Sequence, residues 1–276
     1  MKKESKRSGV NVNPIMQEPR RLNAWYSSIR LSVIFGEGGN LMPQPTVAIS
    51  VDCFCAAKGK SYVPEIVSVA ESQSIPLTWL LGVSEHDPVS NIKLYHNEYL
   101  HRIPAWHELG LYLQFDAGIT NTVERGDLVR IGKDILKQFS IKPTAFRAAN
   151  GDLEGSDLLA LEDIGILVDS TPGSCGSRVA SAPKSPYHPS YANPHQQGDA
   201  KIWVVPVANI EGARGYLDQS FNKVKQIIEA HLADSSVLSL AMCDCEDNAA
   251  VFVETVGYLK KLGARFVTLT QLAVEL

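Results

Sequence analysis

No stretch of the sequence carries the roughly 18 consecutive apolar residues that a membrane-spanning helix requires. A basic excess is missing as well. The 26 lysines and arginines stand against 30 acidic residues, for a formal charge of −4, which leaves no overall electrostatic footprint for nucleic acid. Cysteine is sparse and odd in number, five in 276 residues, which argues against a disulfide scaffold and makes a reducing compartment the expectation. A cleavable leader is not readable either. Residues 1–30 are basic (Lys2, Lys3, Lys6, Arg7, Arg20, Arg21, Arg30). Polar sequence with Ser8, Asn11, Asn13 and Pro14 follows where a signal peptide would place its apolar run. A cytoplasmic protein is expected, and no internal repeat points to a solenoid.

What is present is ordinary globular composition, 45% apolar and 20% charged. Residues 1–45 read as a basic tail followed by a docking segment, with apolar positions Leu22, Trp25, Tyr26 and Ile29. From residue 46 short apolar runs alternate with helical patterns. Strands are expected at 47–53, 77–81, 109–115, 144–148, 166–169, 203–207, 237–242 and 265–268. Helices are expected at 62–73, 89–102, 123–139, 156–164, 217–232, 247–262 and 270–276. Gly165 marks a helix end. Seven or eight β-α steps over 46–276 predict a parallel sheet covered by helices, closed or nearly closed into a barrel. Residues 170–200 break the rhythm with proline, glycine and serine, as functional loops do.

In such folds the site lies at the C-terminal ends of the strands. There the sequence offers Asp52, Cys53 and Cys55, then Tyr112 and Asp116, then Arg147 and Asn150, then Asp169. The penultimate strand ends in Cys243, Asp244 and Cys245. These make an acidic, thiol-rich mouth with Arg147 as its main fixed positive charge. His107, His188 and His195 are further candidates, His107 mainly for holding a turn. The Cys53/Cys55 and Cys243/Cys245 pairs also raise the possibility of a four-thiolate metal site. Trp79, Trp106 and Trp203 read as core residues unless exposed at the mouth. The acidic run 244–247 reads as a solvated helix entrance.

Several stretches resemble the polysaccharide deacetylases (carbohydrate esterase family 4), in the family's order. They are Ala48-Ile-Ser-Val-Asp-Cys53, His107-Glu-Leu-Gly-Leu-Tyr-Leu-Gln114 and Lys142-Pro-Thr-Ala-Phe-Arg-Ala148, then Asp169-Ser-Thr171, Ser185-Pro-Tyr187 and Val204-Val-Pro-Val207. The resemblance covers about 230 residues, and is nearest to the branch found near bacterial surface-polysaccharide biosynthesis. It implies a distorted (β/α)7-8 barrel and metal-assisted removal of acetyl groups from amino sugars.

The same resemblance assigns roles. Asp52 matches the general base and Arg147 the residue that orients it. Cys53, Tyr112 and Asp116 stand where the family keeps its Asp-His-His metal ligands, and Cys243 stands at or beside the acid histidine. Asn150, Asp169, Tyr187 and His188 are the candidate saccharide contacts. A divalent metal, zinc, is implied by the family but weakened by the replaced triad, because a phenol is a poor ligand at neutral pH. Two readings follow. One is a hydrolase cleaving the C–N bond of acetylated sugars in surface-polysaccharide metabolism. The other is a saccharide-binding relative, or a partner in polysaccharide synthesis, that has abandoned the metal.

Overall fold

The computed structural model describes residues 34–35, 41–42, 44–55, 61–82, 95–115, 122–149, 153–171, 183–210 and 213–276. Two short strands, β1 (Ile34–Phe35) and β2 (Leu41–Met42), pair antiparallel ahead of the main body. The body then runs β3 (Thr46–Cys53), α1 (Val63–Gln73), β4 (Thr78–Gly82), a π-helical turn (His96–Leu100), β5 (Glu108–Leu113), α2 (Thr122–Gln138), β6 (Ala145–Ala148), α3 (Gly155–Ile164), β7 (Val168–Asp169) and β8 (Trp203–Val204). It continues with β9 (Asn209–Ile210), β10 (Ala213–Arg214), α4 (Phe221–Leu232), β11 (Val237–Cys243), α5 (Ala249–Lys261), β12 (Arg265–Val267) and α6 (Leu269–Glu275). The basic tail and the apolar positions 22–29 lie outside the described residues. No described helix is long and apolar enough to cross a membrane.

The main sheet is parallel, in the order β11-β3-β4-β5-β6-β7-β8, with β12 added along the first residues of β3. It curls into a half-barrel with helices outside, the distorted (β/α) barrel expected from the sequence. Its central strand β3 is buried along almost its whole length, as a parallel strand covered on both faces must be. Most expected helices are found, but in the described part of 89–102 only a π-helical turn, His96–Leu100, forms, and the helix expected from 217 begins at Phe221. Gly165, with φ 89°, terminates α3 in the left-handed conformation that glycine adopts without a Cβ penalty. A reciprocal capping box of Thr268 and Gln271 opens α6.

Residues two apart on a strand share a face, so the sheet sorts its side chains into two layers. Val47, Ile49, Val51, Cys53, Trp79, Leu81, Leu111, Leu113 and Phe146 pack outward into the large core under the helices. Ala48, Leu80, Tyr112, Ala145, Val168 and Val205 face inward and pack with Leu269, Leu272 and Ala273 of α6. The C-terminal helix therefore plugs the half-barrel at the end where the strands begin. Glu108 fastens it, accepting hydrogen bonds from the Thr78 and Thr144 hydroxyls and from both the amide and hydroxyl of Thr270. Gly110 lets this layer close up, since a Cβ there would lie 2.6 Å from the Ala145 carbonyl oxygen.

Between β8 and β11 no described strand continues the sheet. Irregular backbone crosses the gap instead. The Ala208 amide donates to Ser239, Leu217 to Ala241, and Ala241 in turn to Gly215. Gly215 is required by this close approach, as a Cβ would meet Leu240 at 2.9 Å and the Ala208 carbonyl at 3.1 Å.

Candidate functional site

The inward face ends, at the C-terminal side of the strands, in a buried polar knot built around Arg147 of β6. Its guanidinium reaches Asp52 Oδ1 of β3 at 2.5 Å. It also donates to the Ser50 hydroxyl at 2.8 Å, and to the Ser170 carbonyl at 2.7 Å and hydroxyl at 3.0 Å. Ser50, Asp52, Arg147 and Ser170 meet because each occupies an inward register position on its strand or just past it. A guanidinium stays charged in proteins, so one buried without solvent must have its donors matched in this way. The second Asp52 oxygen accepts from the Tyr216 hydroxyl at 3.1 Å. Burial pushes the Asp52 carboxyl above the usual carboxylate range, against the opposing pull of Arg147 and Tyr216. Burial works against the Arg147 charge, but the neighbouring Asp52 more than restores it.

Two of the expected metal-ligand positions do not come together. Tyr112 faces inward and stacks on Phe54, with ring centroids 5.5 Å apart. Cys53 faces outward into the core beneath the helices, fully buried, its thiol directed at the Val51 carbonyl at 3.6 Å. Burial, with Asp244, Asp52 and Cys55 nearby, holds that thiol well above its ordinary pKa. A thiol sealed in the core under the helices and a phenol packed in the inner layer do not meet around one ion, so this pair does not fit the family's catalytic metal. Asp116 and Asn150 lie outside the described residues.

Cys243 sits in register with Asp52, so the strand brings it to the inward side at the mouth. There it is bonded to Cys245. A general acid needs a proton on sulfur, and a disulfide sulfur has none to give. The expectation that cysteine here stays reduced therefore does not describe this pair. Asp244, expected in a solvated loop, is instead fully buried. Its carboxylate accepts from the Phe54 and Cys55 amides at 3.2 Å each and from the Tyr99 hydroxyl at 2.7 Å. Its own amide donates to the Asp52 carbonyl. Asp244 thus fixes the turn by which the chain leaves β3, just beyond the putting-together of Asp52 and Arg147.

Asp169 also departs from the expected converging mouth. It pairs with outward-facing Phe146, while its neighbour Ser170 turns inward to Arg147. The Asp169 carboxylate accepts from the amide and hydroxyl of Thr171. Burial pushes its pKa up to about 6, despite those bonds and the nearby Arg147. Tyr187 is buried near it, with its hydroxyl donating to the Pro194 carbonyl at 2.9 Å. His188 lies against Trp203, with ring centroids 3.9 Å apart and Nδ1 3.0 Å from the Ile202 carbonyl. His195 is held by its backbone amide on Asn193.

His107 belongs to the opposite end of the half-barrel. Its Nδ1 accepts from the Leu77 amide at 3.0 Å, and burial lowers its pKa to about 4. Trp106, exposed and stacked on His107, shares that distant end, and Trp79 is core. Tyr216, Ser50, Ser170 and Tyr99 were not marked as site residues by the sequence. The serines carry a readable signal, because each lies two positions from or next to a candidate and falls on the inward register. Tyr216 has no such signal, since it arrives on the irregular crossing segment.

No family model and no curated protein matches the chain. Solved structures do share the fold. A candidate polysaccharide deacetylase from Mycobacterium smegmatis matches with a TM-score of 0.60 at 14% identity, over 84% of this chain and 90% of that one. A mutant carbohydrate esterase family 4 pseudoenzyme with restored enzymatic activity matches at 0.52 and 11% identity, over 83% and 68%. The 4-alpha-glucanotransferase from Thermococcus litoralis also matches at 0.52 and 12% identity, over 84% of this chain but 38% of that enzyme. At these identities the likeness establishes the deacetylase-type barrel, and a fold shared with a transferase does not by itself fix a reaction.

Proposed function

We propose that this chain is a polysaccharide-deacetylase-like protein that recognises N-acetylated saccharides at the C-terminal mouth of its half-barrel, without the family's Asp-His-His metal. Its setting would be surface-polysaccharide metabolism, as the resemblance of its motifs suggests. The observation that carries the reading is the separation of Cys53 and Tyr112 onto opposite faces of the sheet. Asp52, Arg147 and Tyr216 form a fixed polar knot beneath that mouth, and the knot holds the strand ends that would frame a sugar. Saccharide sites are commonly formed by a few oriented polar groups beside aromatic surface, here the half-buried Phe54 stacked on Tyr112.

Calorimetric titration of the full chain with N-acetylglucosamine oligomers tests this. Saturable binding that is unaffected by a strong chelator, with mass spectra showing no acetyl loss, is the expected outcome. No binding to any N-acetylated oligomer would defeat the proposal.

A hydrolytic reading is favoured by one specific observation, the retained Asp52–Arg147 contact at 2.5 Å. Under that reading Asp52 takes a proton from water attacking the acetyl carbon and returns it to the nitrogen as the C–N bond breaks, releasing acetate and the free amine, while Arg147 orients its carboxylate. Acetyl release that disappears in Asp52→Asn would establish it in place of the first.

A further inference from the structure

Beside the Asp52 knot, but not part of it, four side chains with metal-binding chemistry converge. They are Cys55, Cys243, Asp244 and Cys245, and one ligand atom from each lies within 4.8 Å of all the others. Cys243 ends β11, Asp244 and Cys245 lie in the turn after it, and Cys55 lies at the exit of β3, two segments tied together by the Asp244 carboxylate on the Phe54 and Cys55 amides. Cys55 and Asp244 are buried, while Cys243 and Cys245 are half-buried and so reachable from solvent. Cys53 is not in the group, which separates this cluster from a four-cysteine arrangement.

We infer that these residues form a redox-gated zinc site, closed while Cys243 and Cys245 are bonded and opened when a small dithiol reduces them. The step balances. The dithiol delivers two electrons and two protons to the Cys243–Cys245 bond, which becomes two thiols, and the dithiol leaves as its own disulfide. Zinc then displaces the protons from the thiols of Cys55, Cys243 and Cys245, and an Asp244 oxygen completes four-coordination.

The geometry suits this ion. With zinc–sulfur bonds of about 2.3 Å, tetrahedral sulfurs stand roughly 3.8 Å apart. The cluster therefore needs the two bonded sulfurs to part and the rest to contract by about 1 Å or less. Three thiolates select a soft or borderline ion over calcium or magnesium. The Asp244 carboxylate is already oriented by the Tyr99 hydroxyl at 2.7 Å, the kind of outer support that metal-binding carboxylates receive. The buried thiol at Cys55 places a third sulfur where neither disulfide partner supplies one.

The site is independent of the saccharide reading, and its test uses no sugar. The full chain is reduced with excess dithiothreitol, exchanged anaerobically into reductant-free buffer, and titrated with zinc against a chromophoric indicator. A parallel titration with cobalt reports thiolate ligation by its charge-transfer absorption. One zinc per reduced chain is expected, none in the unreduced chain, and a cobalt–thiolate band. Cys245→Ser, at a half-buried position, should weaken zinc binding at least about tenfold, as should Cys55→Ser. Cys53→Ala should leave the affinity unchanged, with circular dichroism confirming that each variant is folded. Failure of the reduced chain to take zinc would overturn the inference. So would equal binding by the unreduced chain, undiminished binding in a folded Cys243→Ser/Cys245→Ser variant, or a loss in Cys53→Ala as large as in Cys55→Ser.

Discussion

Asp52 and Arg147 lie on strands separated by two others, yet their side chains meet at 2.5 Å across the concave face of the sheet. The contact spans the curl of the half-barrel and ties its two flanks together. Removing one partner leaves a buried charge unmatched. Arg147→Met should therefore cost about 3–5 kcal/mol in urea denaturation. The double variant Asp52→Asn/Arg147→Met should recover part of that loss. A cost below about 1 kcal/mol for the single variant would show that the contact is dispensable.

Tyr216→Phe removes a single hydroxyl from Asp52 and little volume. A loss of about 1.5–3 kcal/mol is expected, the range for a hydrogen bond to a charged acceptor. The same change in an Asp52→Asn background should cost less, and this coupling can be read from a double-mutant cycle. Equal costs in both backgrounds would assign the Tyr216 effect to packing.

Asp169 titrates at about 6 in the folded chain, against an ordinary value of 3.8. The folded state therefore binds this proton more tightly. Its contribution to stability is complete below the unfolded value and is lost as pH rises through about 6. Asp169→Asn can still accept from Thr171 but has no proton to lose. Relative to that variant, the native chain should be more stable at pH 4 than at pH 7 by on the order of 2–3 kcal/mol. Parallel denaturation curves at the two pH values would show the Asp169 pKa to be unperturbed.

His107 has the opposite sign. Its folded pKa is lowered to about 4, so its contribution is present above the ordinary value of 6.5 and is lost as pH falls through about 4. Nuclear magnetic resonance titration should find its ring neutral at pH 5.5, with a midpoint near 4. A midpoint at 6 or above would mean that the ring is not held in its buried place.

Asp244→Ala strips acceptors from the Phe54 and Cys55 amides and from Tyr99 at once. A loss of about 3 kcal/mol or more is expected, since buried donors left unmatched each cost roughly 1–3 kcal/mol. Hydrogen exchange should localise the effect to the amides of Phe54 and Cys55. If their protection is unchanged, Asp244 does not hold the β3 exit.

The barrel was legible because its signals are local and repeated. Continuous apolar strands, helical stripes and a glycine at the end of α3 each declare themselves within a dozen residues. Asp52 and Arg147 were legible for a related reason, as strand-end residues within ordered motifs. Facing was harder to read. Asp169 looks like a member of the mouth until its pairing with Phe146 turns it outward, and Cys53 stands one residue, hence one face, away from Asp52. Short strands such as Val168–Asp169 offer too few positions for alternation to fix a side. The burial of Asp244 depends on Phe54, Cys55 and Tyr99, which lie some 145 to 190 residues away and which spacing alone does not encode.

The irregular crossing between β8 and β11 closes that side of the half-barrel with a few backbone bonds in place of a full strand ladder. A hydrogen-bonded strand would lock the circumference, whereas a few backbone bonds at Ala208, Gly215 and Leu217 act as stitches in a seam. Tyr216 rides on that seam and touches Asp52, so the polar knot itself is one of the stitches that hold the seam in place.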